Sequence, residues 1–174
     1  MANCCSVRFD ITFKTRESAD DFRDRVMQTA VPEDQDSYAS IDLGAHDRWV
    51  LDPELSICDN VVVVDGWVKW AIELEDFLAI LRNAGEDLVR MSVEFEEPGM
   101  GLKGTYIWRG GMDIIEEKLM DPDKWPNIDW DSDEYDPGEE ERRLLDAAFE
   151  NAPVRNWSFD EIDQNTEEVQ NKWR

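Results

Sequence analysis

Carboxylate side chains crowd one short stretch of this chain, residues 121–141. The stretch holds ten Asp and Glu residues against a single Lys, in a chain with 42 acidic residues, 18 basic residues and a formal net charge of −24. Like charges at this density repel one another and destabilise a compact state, so a fold retains them where an oppositely charged surface interacts with them. The sequence therefore predicts a basic partner.

The spacing of these carboxylates suits imitation of a nucleic-acid backbone. Carboxylates three or four residues apart on a helix, or two apart on a strand, lie roughly 5–7 Å from one another, and DNA also carries closely and regularly spaced charges. Interleaved aromatic residues would anchor such an interface, although each could equally pin its segment to the core. The predicted partner-binding residues are Asp129, Trp130, Asp131, Asp133, Glu134, Tyr135, Asp136, Glu139, Glu140 and Glu141, with Asp20, Asp21 and Asp24 as a second row.

The acidity has two alternative origins that stay open. Residues 129–133 begin like the calcium loop of an EF-hand, with Glu140 at the twelfth position, but Glu134 stands at the sixth position, where the sharp turn needs Gly. A cation-binding regulatory module that uses residues 129–140 is therefore one alternative. The second is adaptation to high salt, suggested by six Lys against twelve Arg, in which the acids only hold a hydration layer.

Residue types that commonly carry catalysis are scarce. His46 is the only histidine and stands in a loop-like stretch, so the sequence predicts neither a zinc site nor a Ser/His or Cys/His pair. Cys4, Cys5 and Cys58 are an odd number of cysteines without metal-type spacing, which is typical of idle thiols. We predict no catalytic residue, no metal ligand and no cofactor, and hence a protein that is not an enzyme.

The net charge also excludes several classes of partner. DNA, RNA and anionic lipids attract clusters of Lys and Arg, which this chain lacks, so we predict no direct binding to nucleic acid or to a membrane. The longest apolar run, residues 61–64, is far shorter than the roughly 20 residues of a membrane helix, and the N-terminus has no signal-peptide h-region. These features predict a cytoplasmic protein.

Hydrophobic periodicity predicts the elements that must position the acids. Residues 6–13 alternate between apolar and polar types, as a half-buried strand does. Apolar residues recur at helical spacing in residues 16–28 and 73–85. The β-branched run within residues 60–70 predicts a central strand, and residues 87–97 and 102–110 predict two antiparallel strands. A short strand is expected near residues 48–51.

This order of elements is typical of the βαββαβ plan, in which helices cover one face of a sheet. We therefore predict an α+β fold: a ferredoxin-like antiparallel sheet with helices on one face in residues 1–120, and an acidic, partly helical C-terminal extension, residues 121–174, packed on it. The patterns predict a short helix at residues 112–120, a helix at residues 139–150 and a last helix that begins at Ser158.

Two short motifs resemble those of a known family. Asn3 and Cys5 precede the first strand, and the tripeptide Glu-Pro-Gly at residues 97–99 is followed by Leu102 and Gly104. Both motifs resemble the YubB-like ferredoxin-like proteins carried by plasmids and phages. The resemblance covers the N-terminal two-thirds of the chain. It implies a mobile-element origin and a ferredoxin-like sheet, and it implies no catalytic residues.

These features lead to one hypothesis about function. The protein is expected to be a non-enzymatic inhibitor, encoded by a phage or plasmid, that occupies the nucleic-acid-binding cleft of a host defence protein. The expected partner is a basic restriction or CRISPR effector, and the expected mode is acidic DNA mimicry of the anti-restriction or anti-CRISPR type.

Overall fold

An antiparallel sheet organises the protein. The structure, a computed structural model, describes residues 4–33, 38–45, 49–69, 71–97, 102–120 and 139–172. Its strands are β1 (Cys4–Phe13), β2 (Ser40–Asp42), β3 (Trp49–Cys58), β4 (Val61–Lys69), β5 (Leu88–Glu97), β6 (Leu102–Arg109), β7 (Ile114–Leu119) and β8 (Val154–Ser158). Its helices are α1 (Arg16–Met27), α2 (Leu74–Ala84), α3 (Glu139–Glu150) and α4 (Phe159–Lys172). Among the described residues, the strands lie in the order β2-β3-β4-β1-β5-β6-β7-β8.

Strand β1 lies inside the sheet because both of its edges are paired, one with β4 and one with β5. Its predicted alternation is confirmed. Val7, Phe9 and Ile11 are buried on one face, whereas Arg8 is exposed on the other. The β-branched run of β4 and the alternating residues of β5 continue the same buried face on either side, so the core is centred beneath β1.

Helices α1 and α2 cover this face, and both are predicted from helical spacing. Phe22 of α1 packs against Phe13, with ring centroids 5.3 Å apart, and Phe77 of α2 packs 5.7 Å from the ring of Tyr106. Each large side chain buried in this way contributes about 1.5–3 kcal/mol of transfer free energy. Helix α2 ends at Gly85, whose φ of +94° is a conformation that glycine adopts without steric cost.

Helix α4 extends the same layer, whereas α3 does not. Ile162 of α4 joins the core, and Arg82 of α2 pairs with Asp163 of α4. We call the face under α1, α2 and α4 the helix-covered face. Helix α3 contacts Lys103 and Lys118, which alternate with the residues of that face and so belong to the second face of the sheet. Helices α1 and α2 of the predicted 1–120 unit therefore share one face, and α3 of the C-terminal extension packs on the other.

The predicted helix at residues 112–120 is wrong, because Ile114–Leu119 form β7. Met112, Ile115 and Leu119 have a spacing that also suits a helix, and Glu, Lys and Leu are good helix formers. Pairing with β6 on one side and β8 on the other overrides this local preference. Strand β8 itself was absent from the prediction, and β3 is much longer than the short strand expected near residues 48–51.

None of the helices in the described ranges is long and apolar enough to cross a lipid bilayer. In α1, the apolar residues Ala19, Phe22 and Val26 form a buried stripe, Met27 is half exposed, and the remaining residues are polar or charged.

Replacing Asp163 with Asn should weaken the attachment of α4 to α2 at neutral pH. Arg82 donates to both carboxylate oxygens of Asp163, at 3.1 and 2.8 Å, and this hydrogen bonding holds the pKa of Asp163 below its ordinary value. A lowered folded-state pKa gives stability that is present above the unfolded-state pKa, about 3.9, and is lost as the pH falls through the folded-state pKa. The urea midpoint of Asp163→Asn should lie below that of the parent at pH 7.

The same measurement in acid provides the check. The two midpoints should begin to converge as the pH falls below about 4 and should meet below the lowered folded-state pKa of Asp163, where the parent carboxyl group is protonated as well. Asp160→Asn in the same helix turn serves as the control. Equal midpoints for the parent and Asp163→Asn at pH 7 would show that the ion pair does not attach the helix.

Candidate partner-binding site

Most of the predicted interface lies outside the described residues. This is the case for Asp129, Trp130, Asp131, Asp133, Glu134, Tyr135 and Asp136. Glu139, Glu140 and Glu141 form the first turn of α3, whose predicted bounds of 139–150 are confirmed. The structure therefore describes the two elements that flank the predicted interface in the chain, β7 before it and α3 after it.

The second predicted row, on α1, is described in full. Arg16 donates to Asp20 over 2.9 Å, and Arg23 lies 3.1 Å from Asp20 and 2.7 Å from Asp24. The hydrogen bond from Arg16 holds the pKa of Asp20 below its ordinary value. Asp21 is exposed on the same helix. This surface therefore alternates carboxylates with guanidinium groups, which reduces its likeness to a row of phosphates.

Two lysines, Lys103 and Lys118, attach helix α3 to the second face of the sheet. The Phe149 ring lies 5.6 Å from the Lys103 ammonium and 4.9 Å from the Lys118 ammonium, within the range of cation–π attraction. Lys118 also donates to the carbonyl oxygen of Glu150 over 3.0 Å. Leu145 of the same helix is buried, with 5% of its surface exposed. Both lysines hold the C-terminal half of the helix.

Lys103 connects the two flanks of the acidic segment. The amide of Met120, the last described residue before the segment, donates to the Lys103 carbonyl over 2.9 Å. The Lys103 ammonium lies 3.1 Å from the carboxylate of Asp146 in α3 and 3.3 Å from that of Glu96. Burial alone would lower the pKa of Lys103, but the hydrogen bond to Asp146 and the charge of Glu96 outweigh it and raise the pKa. Lys103 therefore stays charged.

Replacing Lys103 with Met should loosen α3 without unfolding the sheet. The change removes two ion pairs and a cation–π contact, which together are worth on the order of 1 kcal/mol at this partly buried site. Hydrogen exchange measured by mass spectrometry should show amides of α3 exchanging roughly 5-fold to 10-fold faster, with β1 unchanged. Lys14→Met, which removes the ion pair to Asp87, is the control. Unchanged exchange in α3 would contradict the role assigned to Lys103.

A shallow cleft of about 250 Å³ lies between α3 and the second face of the sheet. Its charges are largely paired across strands: Arg8 lies 3.2 Å from Asp65, and Lys103 pairs with Glu96. Glu94, directly opposite Arg8 in the register, is exposed at the cleft. Because opposite charges alternate here, the cleft is not a strongly acidic surface.

The sequence interpretation did not single out the carboxylates around the first turn of α2. Burial is the main cause of a raised pKa of Tyr106, and the negative charges of Glu117, Glu73, Glu75 and Asp76 raise this pKa further. The signal in the sequence is three acids within four residues, but the same pattern marks a helix start. The Glu73 amide indeed donates to the Asp76 carboxylate over 3.1 Å. We therefore assign these acids to the helix start.

The described side chains offer little reactive chemistry. Burial, and secondarily the charge of Glu97, raise the pKa of the Cys5 thiol to about 12, so it is a protonated and poor nucleophile at neutral pH. The raised pKa of Tyr106 likewise keeps its hydroxyl protonated, and that hydroxyl donates to the Ile72 carbonyl over 3.2 Å. Within the described ranges, no three His, Cys, Asp or Glu residues group as metal ligands. His46 lies outside those ranges.

The comparison with known proteins adds no relative. No family model matches the chain, and no curated protein or solved structure is significantly similar to it. The resemblance of the N-terminal two-thirds to YubB-like proteins therefore stays a prediction.

Proposed function

We propose that the protein is a non-enzymatic inhibitor that binds a basic, nucleic-acid-handling defence protein and competes with nucleic acid for its binding cleft. The observation that carries this proposal is the net charge of −24, together with ten carboxylates in residues 121–141. In this proposal a restriction or CRISPR effector is the partner, and the carrier of the gene is a phage or plasmid. The inhibitor acts in the cytoplasm, where such effectors cut DNA.

The ion pairs of the described residues support the proposal. These ion pairs occupy many of the Lys and Arg side chains, and the excess Asp and Glu side chains are left for contacts with another molecule. The bases seen in ion pairs with carboxylates are Arg8, Lys14, Arg16, Arg23, Arg82, Lys103 and Arg109. A protein that itself bound DNA would instead keep such groups available for phosphates.

The strand order supports the finer description of the fold. Strands β3, β4, β1 and β5 lie side by side in that order, with α1 following β1 and α2 following β4. A βαββαβ chain with helices on one face has this arrangement. We therefore infer a ferredoxin-like unit made of these six elements, onto which β2, β6, β7 and β8 add further strands. Helices α3 and α4 belong to the C-terminal extension.

The proposal is tested by infection assays in matched bacterial strains. Strains that carry a restriction system or a CRISPR system, and isogenic strains that lack it, are infected with and without expression of the protein. We expect expression to raise the plating efficiency of a targeted phage by on the order of 100-fold or more in at least one defended strain, and to change nothing in the undefended strain. Equal plating in every defended strain would refute the proposal for the systems tested.

A second measurement separates mimicry from nucleic-acid binding. The purified protein should cause no gel shift of duplex DNA or RNA, and it should displace labelled DNA from the effector that it inhibits. This displacement should weaken steeply between low and physiological salt, because screening shortens the reach of the charges to about 8 Å. Submicromolar binding to DNA would exclude the mimic. A fold that loosens at low salt, with no inhibition, would favour adaptation to high salt instead.

A further inference from the structure

An apolar groove opens beside α1, where the helix-covered face reaches β2 and β3. The groove has a volume of about 600 Å³ and is lined by the end of α1, the residues after it and the two strands. Met27 and Val31 are 50% and 43% exposed there, and Tyr38, next to the groove residue Ala39, is 64% exposed. Ligand pockets in proteins commonly measure roughly 300–1,000 Å³. The groove is therefore large enough to take side chains of a partner.

The rim of this groove is acidic. Asp52 lines the groove, and Glu33 is exposed directly after the groove segment that follows α1. Arg23 also lines it, but Asp20 and Asp24 neutralise this guanidinium from 3.1 and 2.7 Å. The rim thus keeps a negative charge around an apolar floor. Such a surface favours a ligand whose large apolar side chains are flanked by Lys or Arg.

A backbone irregularity shapes the groove wall. The pairing of β3 with β4 changes register between Leu51 and Glu54. Asp52, inside this bulge, has a φ of +45°, a left-handed conformation that costs a non-glycine residue on the order of 1 kcal/mol. A Cβ on Gly66 would lie 2.8 Å from the Leu51 carbonyl oxygen, so only glycine lets the bulge approach β4. Bulges are enriched at places where a protein redirects a side chain toward a binding site.

The neighbouring sheet edge is not available for strand addition at its first residue. Val31 and Ser40 exchange two backbone hydrogen bonds of 2.9 Å each, which occupy the edge of β2 there. Two residues further along β2, the Asp42 amide donates to the Thr29 hydroxyl oxygen over 2.9 Å, so this edge group is occupied as well. A ligand of this region therefore inserts side chains into the groove rather than extending the sheet.

We propose that this groove docks a basic, amphipathic segment of a protein partner. The inference rests on the proposed function for the kind of partner, because a protein that binds nucleic acid carries Lys and Arg around its cleft. The rim carboxylates attract the segment, and apolar side chains that contact Met27 and Val31 hold it. In this arrangement α1 contributes to the interface through the groove at its C-terminal end.

A second apolar groove, about 670 Å³ in volume, provides an internal control. It lies near the end of α2, and Val89, which is 42% exposed, lines it. Lys14 and Arg82 also line it, each paired with one carboxylate, that of Asp87 and of Asp163, which leaves the single acid Glu86. The first groove carries Asp52 and Glu33 beside an Arg23 that is paired with two acids, so a basic ligand has less electrostatic reason to prefer the second groove.

The test uses full-length, ¹⁵N-labelled protein and two synthetic probe peptides. One is an amphipathic peptide of Leu and Lys, and the other has Glu at every Lys position. The Leu/Lys peptide should shift the backbone amide signals of Met27, Val31, Ile41 and Leu55, and the Leu/Glu peptide should not. Met27→Lys should weaken the dissociation constant by about 10-fold or more, since it places a charge in the apolar floor. Val89→Lys should leave the constant unchanged.

Several results would overturn the inference. These are shifts centred on Val89, shifts spread evenly over the acidic surface, equal binding of the Leu/Glu peptide, or undiminished binding by a folded Met27→Lys variant. If Met27→Lys converts a dimer into a monomer in sedimentation experiments, the groove serves a second copy of the chain instead. If Trp130→Ala alone shifts the Met27 signal, the groove holds the chain's own acidic segment.

The groove and the proposed function can fail separately. A Met27→Lys variant that no longer binds the Leu/Lys peptide but still restores phage plating fully would refute the docking role and leave the inhibitor proposal intact. A parent protein that instead binds the peptide in the groove and inhibits none of the tested defence systems is the reverse case. That result would refute the inhibitor proposal and leave the groove as a docking site. We expect the Met27→Lys variant to lose both peptide binding and the ability to restore phage plating.

Discussion

Phe9→Asp should leave the chain unfolded in buffer without denaturant. Phe9 is fully buried on β1, between partners on β4 and β5, and it faces the helices. Losing a buried Phe side chain costs about 3–5 kcal/mol, and burying an unpaired carboxylate costs several more. The sum is comparable to the total stability of an ordinary domain, roughly 5–15 kcal/mol. Circular dichroism and the dispersion of amide signals measure the outcome.

The neighbouring residue supplies the control. Arg8 lies on the second face of the sheet with half of its side chain exposed, and it pairs with Asp10 and Asp65. Exposed ion pairs contribute about 0–1 kcal/mol each, so Arg8→Ala should fold with only a slightly lower urea midpoint. A soluble Phe9→Asp protein with the parent's spectrum would mean that β1 presents its other face to the core.

Reversing Asp129, Asp131 and Asp133 to Lys should abolish inhibition. In the proposed mode, these carboxylates steer the protein to a basic cleft, and steering of this kind changes association rates by about 10-fold to 1,000-fold. The three new lysines would also repel the lysines and arginines of the cleft. In the defence system that the parent inhibits, phage plating should return to the level seen without the protein.

A variant of equal net charge separates a local interface from general acidity. Glu86, Asp113 and Asp160 are exposed and belong to other parts of the structure, so reversing these three to Lys gives the same total charge. The control variant should retain most of the inhibition, after its fold is verified by circular dichroism. If both triple variants inhibit like the parent, the contact lies elsewhere, and the α1 surface becomes the first candidate.

The sequence was most informative where local pattern and tertiary environment agree. The strict alternation in β1 and the apolar stripe of α2 each matched a buried face, and both elements were predicted. Residues 114–119 illustrate the opposite case. Their helical spacing and helix-forming residues were outweighed by hydrogen bonds to strands on both sides, one of which, β8, comes from far along the chain. No local pattern reports a partner at that distance.

The interface was less predictable than the fold, for a related reason. In a sequence, a row of Asp and Glu residues indicates negative charge. Whether Lys or Arg side chains neutralise this charge depends on contacts that only the structure gives. Arg16 and Arg23 do so for Asp20 within one helix, at the four-residue and three-residue spacings that the sequence displays. The groove beside α1 needs the register shift of β3 and its packing on Gly66. These arise only when distant strands meet.

The attachment of both flanks of the acidic segment to Lys103 has a consequence for how this segment can evolve. When both ends of a chain segment are fixed on one residue, doubling its length changes the closure entropy by only about 0.6 kcal/mol. We therefore expect insertions and deletions between Met120 and α3 to cost little stability. In the proposed mode, where residues 121–141 contact the target, this segment could then change with the target while the sheet stays constant.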